Sequence, residues 1–372
     1  MDEEIKRPAK RKALEKSPES LHVALPRWVS DWKRSDLSLL HIYYADDFLD
    51  EPFDVLSKIP TLGVELNRCQ KEYIQEANHF LKFEASVEKL QLHGSLIKSS
   101  ISELYVELEK QPEKLVNFNV KRFIMALDRL LEDVQHAFQS FKPYEGLFTQ
   151  FVGAFAELCC LESLNCGKVQ ETTWHNLANC TVISEPDLRF FKCGLEQRKT
   201  NSMVTVLESS GNSRHSRSRN QEIKNTIKVK KVRKRSRELS PDAYFLNDSS
   251  SSSSGSCSWL TVGEQEADRP LIERIANTRV LGQHGGELLL DLKRYQESTT
   301  ESELTMPGMI IDQTKVIFTL LVMSRTHLDK LKNNHLLQND DRAVIFYSKP
   351  LDILSEESRS ILIENFMRLN NV

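Results

Sequence analysis

The chain has 372 residues, 40% of them hydrophobic and 28% charged, with a formal net charge of −3. Such a composition is ordinary for a protein with a packed core and excludes a collagen-like or wholly disordered chain. The longest dense apolar run, Lys315 to Met323, is less than half of the roughly 20 residues a membrane-spanning helix needs, so no membrane is expected.

Residues 1–24 read as a disordered basic tail with Pro8 and Pro18 and the cluster KRPAKRK, in which Lys10, Arg11 and Lys12 fit a nuclear import receptor. The start, MDEEIKRPAKRK, has no apolar centre of the kind a secretory signal carries. The seven cysteines, an odd number without a C-x-x-C pair, read as reduced thiols of cytosol or nucleus rather than as a disulfide or zinc framework.

Residues 25–60 combine aromatic anchors with acidic pairs, which suggests short helices and loops. From Leu62 onward helical spacing dominates. Val120, Ile124, Leu127, Leu131, Val134 and Phe138 form one stripe over five turns, and residues 25–165 are expected to be mostly α-helical. Such stripes serve a core or an amphipathic face for a protein partner.

After Gly167 the texture changes. Met203–Ser209, Ile227–Val232, Ala243–Leu246, Ser258–Glu264, Lys315–Met323 and Ala343–Ser348 are short, β-branched and aromatic-rich, and read as strands. Leu271–Arg279 and Glu287–Tyr295 read as helices on either side of a turn, GQHGG, which makes His284 a turn residue rather than a base. A last helix runs from about Ser355 to Leu369. Loops at about 209–226 and 247–257 are polar, low in complexity and unable to bury enough to order themselves. The expected fold class is α+β: a helical N-terminal region, then a mixed α/β core over residues 166–372.

Charge is unevenly placed. Arg214 to Arg237 holds eleven Lys and Arg against one Glu, a net +10, which leaves −13 for the rest. Lys228, Lys230, Lys231, Arg233, Lys234, Arg235 and Arg237 are the densest part. They suit an import receptor's acidic groove or a phosphate backbone, where each neutralised phosphate releases counterions; the third reading is a solvated loop. No aromatic residue interleaves them, so base stacking is unsupported. Serines among the arginines would let phosphorylation lower the charge.

Pro241-Asp242, then 22 residues on from that Asp Glu264 in Gly263-Glu264-Gln265-Glu266, resembles the PD-(D/E)XK signature of restriction-endonuclease-like nucleases. The resemblance covers roughly residues 150–325. It implies Asp242 and Glu264 on neighbouring strands as ligands of a Mg²⁺ ion, with an upstream helical acid, Glu171 (rivals Glu157 and Glu162), completing the shell. The metal would polarise the phosphodiester and activate a water. Where the family carries lysine this chain has Glu266, which supplies no positive charge and either adds a metal ligand or marks lost catalysis. Pro186-Asp187 is a second such dipeptide. The expectation is a nuclear, nucleic-acid-associated protein with a degenerate nuclease-like core. The alternative is a non-catalytic nuclear scaffold that binds a protein through its amphipathic helices.

Overall fold

In a computed structural model the centre of the chain is a long hairpin, β7 (Glu303–Asp312) and β8 (Lys315–Ser324), paired over its whole length. The structure describes residues 23–60, 65–111, 114–137, 145–165, 171–192, 204–208, 270–296 and 300–371, all belonging to one unit. Both hairpin strands are buried on both faces. Met309, Ile311, Val316, Phe318 and Leu320 enter one core, while Leu304, Met306, Ile310, Ile317 and Leu321 enter the other. Two buried faces call for apolar residues at successive positions, which is why Val316–Met323 is apolar apart from Thr319, whose hydroxyl has a buried partner in His284.

Six further strands extend the sheet: β1 (Ile42–Tyr44), β2 (Leu161–Asn165), β5 (Leu188–Lys192), β6 (Val204–Glu208), β9 (Ala343–Tyr347) and the short β10 (Leu351–Asp352). The order is β1-β9-β8-β7-β6-β5-β2, with β10 on β8. The pairs β1·β9 and β6·β7 are parallel and the others antiparallel, so the sheet is mixed. A separate hairpin joins β3 (Thr172–Leu177) to β4 (Cys180–Ser184), turning through Ala178 and Asn179 at positive φ.

Helices cover one face: α2 (Pro52–Leu56), α3 (Arg68–Phe80), α4 (Val87–Lys110), α5 (Leu115–Ala137), α6 (Glu145–Leu158) and the C-terminal α9 (Glu356–Leu369). Asn67 and Gln70 cap α3 reciprocally, each side chain accepting from the other's backbone N–H. Phe366 of α9 anchors this layer, with ring centroids 5.2 Å from Phe155, 5.9 Å from Phe190 and 5.5 Å from Phe318. Arg359 is buried beside it. Its guanidinium donates to the carbonyls of Ile353, Leu354, Leu81 and Phe83, and burial lowers its pKa to about 10.

The other face carries α1 (Arg34–Leu39), α7 (Thr278–Gln296), α8 (Arg325–Lys332) and the β3–β4 hairpin. Here the chain departs from its expected elements. Gln283-His284-Gly285-Gly286 is no turn: α7 runs straight through it, and His284 is a fully buried helical residue. The glycines serve contact. A Cβ on Gly282 would lie 2.3 Å from the backbone of Lys33, and one on Gly286 would lie 2.6 Å from Val29 and 2.8 Å from Trp32. Segment 28–37 thus lies directly on the helix, a tertiary demand that overrides the poor helix propensity of glycine. Strands β1, β2, β3, β4, β5, β7 and β10 also arise where no strand was expected.

The fold is α+β, as expected. The stripe Val120, Ile124, Leu127, Leu131 and Val134 is buried along α5. Helices α2 to α6 share their core with strands β5, β7 and β8. No helix among the described residues is long and apolar enough to cross a membrane.

Candidate functional site

Asp242, Glu264 and Glu266 lie outside the described residues, as do Lys10, Arg11, Lys12 and the cations from Lys228 to Arg237. The expected strands at 227–232, 243–246 and 258–264 lie there too. Of the expected shell, Glu171 is described, exposed immediately before β3. Its rivals are engaged or apart: Glu157 holds Arg122 at 2.6 Å and accepts from Ser163 Oγ at 3.2 Å, while Glu162 is exposed on β2. Among the described residues no three of His, Cys, Asp and Glu converge so as to hold a metal ion. Of the described cysteines Cys159 is buried, which raises its thiol pKa, whereas Cys69 is exposed.

The polar groups that do converge sit on the sheet-facing side of α7. His284 Nε2 lies 2.7 Å from Thr319 Oγ1 on β8, and burial lowers the imidazole pKa to about 3, so the ring is neutral. One helical turn on, Glu287 Oε1 accepts from Gln283 Nε2 at 2.9 Å. Glu287 also helps raise the pKa of Tyr44, whose buried hydroxyl donates to the Leu281 carbonyl; burial itself is the larger cause. A further turn brings Asp291 to Arg189 of β5 at 2.8 Å, both side chains fully buried. Thr172 Oγ1 joins the pair, accepting from Arg189 Nη2 at 2.9 Å and donating to Asp291 at 3.2 Å.

This polar line runs beneath the hairpin. On β7 and β8, Gly308 is registered directly opposite Thr319, beside Pro307 opposite Leu320. A Cβ on Gly308 would lie 2.6 Å from Leu288 and 3.0 Å from both His284 Cε1 and Thr319 Oγ1. The space over Gly308 is filled. Sequence reasoning took His284 for a turn residue and passed over Gly308 and Thr319, which carry no nuclease signature; the signal available was Gln283, Glu287 and Asp291, spaced four apart in one helical row.

A second feature lies on the helical face. Of eight large apolar side chains exposed among the described residues, six are on α4 and α5: Leu92, Leu96, Val106, Leu115, Phe118 and Met125. Beside them a groove of about 420 Å³ opens between α5 and α6, lined by Arg122, Met125, Arg129, Gly153, Glu157 and Leu188 among others. Its size would admit a small ligand, but its best-placed cation, Arg122, is already held by Glu157.

No protein-family model matches the chain, and no curated protein matches it either.

Proposed function

We propose that the chain is a nuclear, nucleic-acid-associated protein whose nuclease-like core has lost its catalytic set. The observation that carries this is the net +10 between Arg214 and Arg237 against −13 elsewhere. Separation on that scale supplies a strip for a phosphate backbone or for an import receptor. With Lys10, Arg11 and Lys12 it also supplies two addresses for nuclear entry.

Glu266, standing where the resembled family carries lysine, supplies no positive charge and favours a retained frame over a retained reaction.

Full-length protein titrated with labelled single- and double-stranded DNA and RNA at several salt concentrations tests the binding. Affinity should fall steeply with salt. Replacing the seven cations from Lys228 to Arg237 by alanine should flatten the dependence on duplex DNA, by up to about 0.9 in log-log slope for each phosphate that is no longer neutralised. Unchanged binding in that variant ends the nucleic-acid reading. Incubation with Mg²⁺ or Mn²⁺ should leave plasmid and single strands intact. Cleavage that Asp242→Ala abolishes would instead place a working site at Asp242.

One observation favours a second reading, a nuclear scaffold: the concentration of exposed apolar side chains on α4 and α5. Patches of this kind mark protein-interaction surfaces.

A further inference from the structure

We propose that α4 and α5 pair face to face with the same two helices of a second copy of the chain, α5 of each copy lying on α4 of the other. The proposal rests on the scaffold reading and names the protein bound.

Both helices bury one side and present another stripe to solvent, and that stripe has heptad spacing. On α5 it is Leu115, Phe118, Arg122, Met125 and Arg129, with steps of three and four. Leu115 is 64% exposed, Phe118 59% and Met125 59%. On α4 beyond the kink at His93 it is Leu96, Ser99, Glu103, Val106 and Lys110, with steps of three and four. Leu96 is 68% exposed and Val106 49%. A helix using a single face needs only one such seam. An outward 3-4 repeat is the pattern that seats knobs in the holes of another helix, and here two adjacent antiparallel helices carry it.

Charge identifies the occupant. The α5 stripe is basic through Arg122 and Arg129, while the α4 stripe carries Glu103 and, at its end, Lys110, with Glu107 beside it one turn beyond Glu103. Glu103 and Glu107 are exposed and make no ion pair among the described residues. Arg129, 70% exposed, has only a distant contact with Asp133 at 3.9 Å, and Arg122 stays 49% exposed beside Glu157. Within the hairpin Lys121 stands level with Glu109, and Lys98 with Asp128 and Glu132. A two-fold axis parallel to the helices leaves those levels unchanged between copies. It therefore brings Arg122 level with Glu107 and Arg129 within about a turn of Glu103 on the facing α4. The same operation brings Met125 within a turn of Val106 on the facing α4 and sets Phe118 by its C-terminal end, the reciprocal contact a closed dimer requires.

Sedimentation velocity of the full-length chain from about 1 µM to about 100 µM tests this. The expected result is a monomer–dimer equilibrium that Phe118→Asp with Met125→Asp abolishes while the far-UV spectrum and melting curve persist. Arg129→Glu alone and Glu103→Arg alone should each weaken the dimer about tenfold, and the two together should restore it. A chain monomeric throughout, a dimer indifferent to the paired aspartates, or single reversals with no rescue would overturn the proposal. A photo-cross-linker at position 125 in nuclear extract judges the scaffold reading separately. A monomeric chain that still cross-links a different protein there, and loses it with Phe118→Asp, overturns self-pairing and keeps the scaffold; no cross-link and no dimer overturns both.

Discussion

Arg189 on β5 and Asp291 on α7 form a fully buried ion pair, with Nη2 2.8 Å from Oδ1 and Nε 3.4 Å from Oδ2. The pair ties the sheet to the helix that crosses it, and Thr172 brings in the β3–β4 hairpin. Moving two charges out of water costs more than their attraction returns unless further hydrogen bonds share them, as Thr172 does here. Its loss is therefore asymmetric. Asp291→Ala takes from the buried guanidinium its 2.8 Å carboxylate partner and should cost about 3–5 kcal/mol, whereas Arg189→Met with Asp291→Leu should cost much less or stabilise. Urea denaturation of the three variants checks this; a double variant weaker than Asp291→Ala would sink it.

Phe366 meets Phe155, Phe190 and Phe318 edge-on or tilted, so it joins α6, β5, β8 and α9 at one point. Phe366→Ala should cost about 3–5 kcal/mol, the usual sum of lost transfer energy and residual cavity. Phe366→Leu should recover a large part of that. If chemical denaturation shows Phe366→Ala within about 1 kcal/mol of the parent, the layers are not joined through this ring.

What the sequence disclosed and what it hid follow from how each element is stabilised. The stripe along α5 and the doubly buried β8 were legible because burial writes a period, or its absence, into the residues. Strand β5, LRFFK, was not, because Arg189 looks like a surface residue until Asp291 is placed against it. Helix α7 was split at Gly285-Gly286, since glycine reads as a turn unless the segment lying on it is known. The acidic constellation at Asp242 and Glu264 came from spacing alone, whereas the polar line His284–Glu287–Asp291 is visible only once α7 lies on the sheet.

His284 gives the fold a pH dependence of definite sign. Neutral in the folded state with a pKa near 3, it titrates near 6.5 when unfolded. Its contribution is fully present above about pH 6.5 and is lost as pH falls toward about 3, because the unfolded chain takes up the proton first. His327, whose pKa burial also lowers, acts in the same direction. Between about pH 6.5 and pH 5 each histidine should remove at most about 1.4 kcal/mol per pH unit. Unfolding free energies across that range should show a shallower slope in His284→Leu than in the parent. Equal slopes would mean that His284 is charged inside the fold.

Two glycines in helices should respond to the same substitution with opposite signs. Helix propensity alone predicts that Gly→Ala stabilises by about 1 kcal/mol. At Gly153 in α6 the new methyl meets only the Ser163 hydroxyl at 3.2 Å, a side chain that can shift, so Gly153→Ala should be neutral or stabilising. At Gly282 in α7 it would meet the Lys33 backbone at 2.3 to 2.6 Å, and backbone cannot rotate away. Gly282→Ala should therefore lower the melting temperature and raise proteolytic cleavage within residues 23–40, as that segment lifts from the helix. Equal melting shifts for the two variants would show that segment 28–37 does not rest on α7.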